Sequence, residues 1–557
     1  MAQLFADQPL PTRNKLDLDF LHKMGCKACP LAQVKNHHPD MEPAGAERPL
    51  VYLLGEGPTR EDDEDNELFS SSSWRKLRAH IPRNLADSLR YNNVVRTRSP
   101  GNETPAPVAI ECCRPSVEAD IERSKPKAIF GFGEVPLKWV SGFTGVNYWR
   151  GRKMPVKIGT HSCWYYPMLH PAFLSYEGQR GSQEAERMFA LDLKRAWAEL
   201  PNLPPAVVHD TRDVFKNIQC LTDVDQIAEM LTWAAEEPDV GIDYETSALR
   251  PYNKSALLLS VAVDNGAEGF AFGFDHPGVE WTKAERAELD KRWRWFLINA
   301  EGRKWVHNLA FEMEWTAVRF GGDLLRKGRW EDTASQAVVL DERIGKQKPG
   351  CLSLEFLVQQ HFGFNLKKLS GVSRSALAET PLPIVLRYNC ADSRYHCLLG
   401  LAQEARIKAE GLEFPYELSC RKVPTVVLSQ VKGVPVDQTE VQRLQVKYED
   451  RLQALDDEIF DLPVVRDFNT RKREVFKPLS NPHVLYVMRD MLRRKECESV
   501  DKYTEKVKYS VDESVLERIN HPLAELVVKY RKANKQLSTY VYPMLKGHEK
   551  SVVFDDG

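Results

Sequence analysis

Two short apolar runs, each breaking off at glycine, constrain the start of this chain more than any other feature. Pro49-Leu50-Val51-Tyr52-Leu53-Leu54 runs into Gly55-Glu56-Gly57-Pro58, and Ala128-Ile129-Phe130-Gly131-Phe132 runs into Gly133. Helical patterns lie between them, around 73–89 and 107–124. Apolar strands that stop at glycine turns and alternate with helices predict an α/β domain. The proline-rich stretch 200–212 predicts a linker.

At 557 residues, the chain is long enough for three or four domains of roughly 150 residues. After a helix at 222–235, strand-like runs at 239–246, 255–263 and 268–274 precede further helices, which predicts a mixed sheet. From 411 onward the pattern is helical, at 440–460, 484–493 and 515–541, whereas Ser551 to Gly557 reads as the start of a strand. The expectation is an α/β multidomain protein with boundaries at 1–200, 201–235 (linker and lead-in), 236–410 and 411–557. Apolar residues at 42% and charged residues at 28% exclude a collagen-like fibre and a mostly disordered chain. No run of 18 apolar residues exists and Met1 to Pro9 carries no signal core, so a cytoplasmic protein without membrane spans is expected. The 11 cysteines are too few for a disulfide scaffold, and a net charge of −2 neither favours nor excludes nucleic acid.

In Val240-Gly241-Ile242-Asp243-Tyr244-Glu245, the period-two alternation of a strand puts Asp243 and Glu245 on one face. Two adjacent carboxylates repel unless a cation sits between them, although a solvated edge strand would also tolerate them. Glu312 stands one turn beyond Asn308 on an expected helix whose core stripe is Phe311, Trp315 and Val318; alone, this reads as a capped surface helix. Tyr388 and Asp392 are four apart on another expected helix and face the same way. Together, four acids and a tyrosine are the equipment for two-metal phosphodiester hydrolysis.

The order Asp-x-Glu-Thr, Asn-x-x-x-acid, Tyr-x-x-x-Asp resembles the three motifs of the proofreading 3′-5′ exonuclease domain of family A DNA polymerases. The resemblance implies an RNase H-like fold in which Asp243, Glu245, Glu312 and Asp392 hold two Mg²⁺ or Mn²⁺ ions while Tyr388 positions the water. Asp332, in Glu331-Asp332-Thr333, stands where that family has a structural Asp-Thr. The departure is Glu312, since the family usually has Asp there; the extra methylene lengthens the reach.

In the C-terminal segment, Lys529, Arg531, Lys532 and Lys535 form a basic patch near Ser538 and Thr539, suited to phosphates or simply to a solvated helix. With Gly433-Val434-Pro435-Val436-Asp437 before it, this segment resembles the thumb of a family A polymerase, which grips primer-template DNA. The resemblance implies that palm and fingers lie elsewhere, either on a separate polypeptide of a phage-type split polymerase or on the rest of a longer protein, and that this chain alone does not polymerise.

At the N-terminus, Cys26-x-x-Cys29 is a paired soft-metal chelate, followed by Cys112-Cys113. With Asn92-Asn93, His170-Pro171 and the Gly55-Glu56-Gly57-Pro58 loop, the region resembles the iron–sulfur uracil-DNA glycosylases. The resemblance implies a [4Fe-4S] cluster on Cys26, Cys29 and Cys113 with Cys112 or distant Cys163 as fourth ligand, zinc being the alternative metal. It also implies a pocket made by Glu56, Phe69 (stacking on the base), Asn93 (reading it) and His170 (stabilising the departing base). Thr97 replaces a family cysteine, Thr59 a glycine, and Ser70 to Ser73 a glycine-rich segment, while the acidic run Glu61 to Asp65 would repel phosphates.

The leading expectation is the proofreading subunit of a split family A polymerase, with DNA and a palm-fingers protein as partners. The alternatives are a free-standing repair enzyme pairing uracil excision with end trimming, and a non-catalytic DNA-binding or processivity subunit.

Overall fold

In the computed structural model, strand formation in the first region follows the apolar runs closely. β1 (Ala44–Gly45), β2 (Val51–Gly55), β3 (Leu89–Asn93), β4 (Ala128–Phe132), β5 (Met154–Ile158) and β6 (His161–Met168) form one sheet in the order β1-β3-β2-β4-β6-β5. The central four are parallel, and β1 and β5 pair antiparallel at the two edges. Parallel strands need covered faces, and β2 and β4 are buried along their whole length. The structure describes residues 16–174, 184–253, 255–341, 349–366, 369, 372, 374–500 and 507–545. Met1 to Pro9 and the strand expected at Ser551 to Gly557 lie outside them.

The helix expected over 73–89 is shorter than its pattern. Ser72–Arg78 is α-helical, Arg83–Ser88 forms 3-10 turns, and the chain is already in β3 at Leu89. Pro82 interrupts the helix, since its ring removes an amide donor. Pro107–Ser124 forms a helix as expected and links β3 to β4.

The second sheet has the order β12-β11-β8-β9-β10-β7, from β7 (Ile218–Leu221), β8 (Asp239–Thr246), β9 (Leu258–Asp264), β10 (Gly269–Gly273), β11 (Arg303–Val306) and β12 (Arg329–Asp332). It is mixed: β11 runs parallel to β8 and β12, whereas β10 is antiparallel to β9 and parallel to β7. Its helices include Lys283–Asn299, opened by a Thr282/Glu285 capping box, and the long helix Leu382–Glu410.

The chain divides into two compact units. One comprises Met1–Glu245, Leu259–Leu309 and Gly328–Arg421, so it holds both sheets. The sheets share an apolar core: Val156 and Ile158 of β5 pack with Phe356, Phe362 and Leu366, and Trp149 stacks on Phe356 with ring centroids 3.9 Å apart. Arg152 forms an ion pair with Asp341 at 2.8 Å beside that stack.

The other unit comprises Thr246–Leu258, Ala310–Lys327 and Lys422–Gly557. Its described part is mainly helical, with a two-stranded antiparallel sheet of Glu498–Val500 and Val507–Tyr509. Helices Gln438–Asp461 and Pro522–Lys535 bury Leu455, Ile459, Leu523 and Val527 in its core. Glu314 accepts hydrogen bonds from Arg250 and Tyr252. On helix Leu309–Phe320 the expected core stripe is displaced: Val318 is 38% exposed, while Met313, Trp315 and even Glu312 are buried. No helix among the described residues is long and apolar enough to cross a membrane.

Candidate functional site

β8 alternates as its residues require. Tyr244 turns to one face, where its hydroxyl accepts a hydrogen bond from Trp293 Nε1 at 3.0 Å. Gly241, Asp243 and Glu245 occupy the other face, which helix Leu382–Glu410 covers so closely that a Cβ at Gly241 would collide with the Ser393 carbonyl. Two polar anchors set the rotation of that helix. Asn389 Nδ2 donates to Ser260 Oγ at 2.8 Å, and Arg394 Nε donates to the buried Asp264 at 3.0 Å. Burial raises the Asp264 carboxyl despite the Arg394 guanidinium beside it.

Asp392 is thereby brought to Asp243 and Glu245. One carboxylate oxygen from each lies within 4.8 Å of the others, an arrangement able to hold a metal ion. All three residues are at most 9% exposed, so mutual repulsion of their carboxylates is poorly screened, which is a strong reason for a cation to bind. Tyr388 is also buried, one turn before Asp392 on the same helix face. Glu312, the fourth expected acid, is 2% exposed on helix Leu309–Phe320 and belongs to the other compact unit.

Asp332 is structural. Its Oδ1 accepts from the Asn308 and Ala334 amides at 2.9 and 3.1 Å, its Oδ2 from Ser335 Oγ at 2.6 Å, and it caps helix Thr333–Leu340. Sequence reasoning missed His396. Its Nδ1 bonds the Ile242 carbonyl at 2.8 Å, which turns Nε2 toward Asp243 Oδ1 at 3.8 Å. The signal was available: His396 continues the four-residue spacing of Tyr388 and Asp392.

In the N-terminal region Cys29, Cys112 and Cys113 are buried in a small cluster with Leu21, Leu31 and Val95, and Cys26 lies at its exposed side. Burial, followed by the neighbouring Cys29 and Cys26 sulfurs, pushes the Cys112 thiol up to about 11. Burial also holds Cys113 at about 11, with Cys29 and Cys26 contributing. The sulfurs are near neighbours, but among the described residues only Asp243, Glu245 and Asp392 bring three ligand atoms within 4.8 Å of one another. Cys163 is elsewhere, on β6 inside the large core, and Thr97 accepts a hydrogen bond from the Asp40 amide.

Glu56, Asn93 and His170 stand at the carboxyl ends of β2, β3 and β6, where ligands bind in parallel sheets, and Phe69 approaches Gly55 at the end of β2. Burial raises the Glu56 carboxyl. The acidic run Glu61 to Asp65 is not a free repulsive surface. Asp62 and Asp63 are buried: Asp62 completes a capping box with Thr59 and accepts from the Ser70 amide, and Asp63 accepts from the His37 and His38 amides.

The basic patch is largely committed within its own unit. Lys529 pairs with Glu525 at 2.5 Å and Lys532 with Glu513 at 2.6 Å. Arg531 donates to the Pro478 and Val511 carbonyls and to Asn481 Oδ1. Lys535, Ser538 and Thr539 are exposed, the latter two in a π-helical turn, Gln536–Val541.

Two family models match the chain: the uracil DNA glycosylase superfamily over residues 42–199 and a 3′-5′ exonuclease family over 218–402. A type-4 uracil-DNA glycosylase of Sulfurisphaera tokodaii is 26% identical over 161 residues, 28% of this chain and 72% of that protein. The DNA polymerase DpoZ of Acinetobacter phage SH-Ab 15497 is 24% identical over 330 residues, 56% of this chain and 49% of its own length. The DNA polymerase of Escherichia phage T5 is 22% identical over 323 residues, 55% of this chain and 36% of its own. The chain therefore spans half or less of the phage polymerases it matches. It joins a glycosylase-like domain to an exonuclease domain of the family A polymerase type, and that domain's carboxylate cluster supports metal-dependent nuclease activity.

Proposed function

We propose that this protein removes nucleotides one at a time from DNA 3′ ends by two-metal hydrolysis, working beside a family A polymerase palm and fingers. The observation that carries the reading is the convergence of Asp243, Glu245 and Asp392 in a region matched by the exonuclease family. Divalent cations bound there would supply an activated water and neutralise the leaving oxygen. Asp243, Glu245 and Asp392 would hold them. Tyr388 would orient the attacking water through its hydroxyl. His396, tied to the strand backbone, restricts the rotation of Asp243. In this reading the helical unit grips primer-template DNA through Lys535, Ser538 and Thr539.

The test is digestion of 5′-labelled primer-template carrying a 3′ mismatch, with Mg²⁺ or Mn²⁺. A ladder shortening from the 3′ end, reduced about 10³-fold in Asp243→Ala, is expected, because losing metal stabilisation costs several kcal/mol of transition-state energy. An intact primer under both metals overturns the proposal.

The four-cysteine group is assigned in the same reading to a [4Fe-4S] cluster held by Cys26, Cys29, Cys112 and Cys113, a structural element of the glycosylase-like domain. Anaerobically purified protein should be brown and yield iron and acid-labile sulfide; zinc alone would refute the assignment.

A further inference from the structure

The nuclease reading leaves the glycosylase-like pocket without a task, and the side chains around it are unusual. A Cβ at Gly55 would collide with Asn93 Oδ1 and stand 3.2 Å from Phe69 Cζ. A Cβ at Gly133, just beyond β4, would stand 3.2 Å from His170 Cβ. Phe69 has φ 63, a left-handed conformation rare for an aromatic residue, and Arg78 donates to its carbonyl at 3.1 Å. The Asn93 amide is 2% exposed, and its Nδ2 has no hydrogen-bond partner. An ordinary core seldom keeps an unsatisfied amide, so this donor marks a place built for an acceptor.

The space against Phe69 is filled by another residue of the chain. The Trp74 ring centroid lies 3.9 Å from that of Phe69, 5.1 Å from His170 and 5.2 Å from Phe132. The indole is tilted 35° to the Phe69 ring and fills the space that a base laid against Phe69 would need. Both Phe69 and Trp74 are 1% exposed, so neither offers a ring face to a ligand.

We propose that Trp74 plugs this pocket from within, so that the domain neither takes up a flipped pyrimidine nor excises uracil, although the groups that would read the base remain in place. The plug is anchored rather than loose. Trp74 sits in the first turn of helix Ser72–Arg78, its amide bonded to the Ser71 carbonyl at 3.1 Å, and Asp62 fixes the preceding Ser70 through both its amide and its hydroxyl. Ser70 to Ser73 lead directly into it. His170 Nδ1 accepts from the Ala172 amide, and desolvation holds the ring neutral at physiological pH. Removing the indole would open a slot for a flat heterocycle presenting a carbonyl to Asn93 Nδ2. This inference stands apart from the nuclease reading, since it concerns a different domain.

The test uses the full chain, uracil-containing oligonucleotides and free uracil as the probe. Wild type is expected to leave uracil-DNA without alkali-labile sites and to show no shift in Tm with millimolar uracil. Trp74→Gly should gain about 2 °C in Tm with uracil, and Asn93→Ala added to it should abolish the gain. Should Trp74→Gly fail to fold, Trp74→Leu leaves a smaller slot and the same comparison applies. Wild-type excision that disappears in His170→Ala overturns the proposal. So does uracil binding by wild type, or its absence in every folded Trp74 variant.

Discussion

Gly241 of β8 lies against the backbone carbonyl of Ser393, the residue that follows Asp392, with no room for a Cβ between strand and helix. This contact sets the distance between the acids of the strand and the acid of the helix. Gly241→Ala must push the helix outward or twist the strand, at a cost of about 1–3 kcal/mol for overpacking. Because displacement of about 1 Å can lower a rate 10²-fold, exonuclease turnover should fall by about that factor while the protein remains folded. Turnover and melting temperature measured together check this; unchanged turnover would mean that the close approach does not position Asp392.

Much of the carboxylate cluster was legible because its geometry is local. The alternation of β8 places Asp243 beside Glu245, and the four-residue spacing places Tyr388 above Asp392. The need for glycine at 241 was not legible, since it arises from a helix about 150 residues away in the chain. Val318 matched the expected stripe of its helix, yet the structure exposes it and buries Glu312, because tertiary packing outweighed periodicity. Trp74 followed a serine run that reads as a loop, and nothing local announced that its ring would pack against Phe69.

The stack of Trp149 on Phe356 joins the glycosylase-like sheet to helix Leu354–Phe362. The contact continues inward: Phe362 and Phe364 pack on Tyr395, which shares the helix of Asp392. Trp149 is 1% exposed, so Trp149→Ala should cost about 3–5 kcal/mol. Wild type should melt both domains in one transition, and the variant should melt earlier and lose exonuclease activity at temperatures where wild type is active. Differential scanning calorimetry with a parallel digestion assay decides this; an undisturbed nuclease in the folded variant would show that the domains are independent.

The proposed DNA grip of the helical unit rests on the exposed Lys535, Ser538 and Thr539 and makes a salt-dependent prediction. If Lys535 contacts a phosphate, Lys535→Ala should weaken binding similarly for all sequences and reduce the slope of log affinity against log salt by about 1. Arg531, which braces the Pro478 and Val511 carbonyls, should behave differently: Arg531→Ala should lower stability more than it changes the salt slope. Binding titrations at several salt concentrations, with melting curves for both variants, separate the two roles.

Lys304 makes a pH prediction with a definite sign. It is fully buried on β11, its Nζ donates to the Ala300 carbonyl at 2.8 Å, and desolvation lowers it from 10.5 to about 8. Between pH 8 and 10.5 the unfolded chain therefore holds more proton at this site than the native protein, so its contribution to stability rises with pH across that window. Below pH 8 the native state must bury the charge, and that contribution is lost. The full swing is about 3 kcal/mol at 1.36 kcal/mol per pKa unit. Lys304→Met, which keeps an unbranched apolar stem, should stabilise the protein at pH 7 and narrow the difference from wild type as pH approaches 10.5. Denaturant unfolding of both proteins at pH 7, 8, 9 and 10 measures that difference directly, and a constant gap between them would refute a buried ammonium at this position.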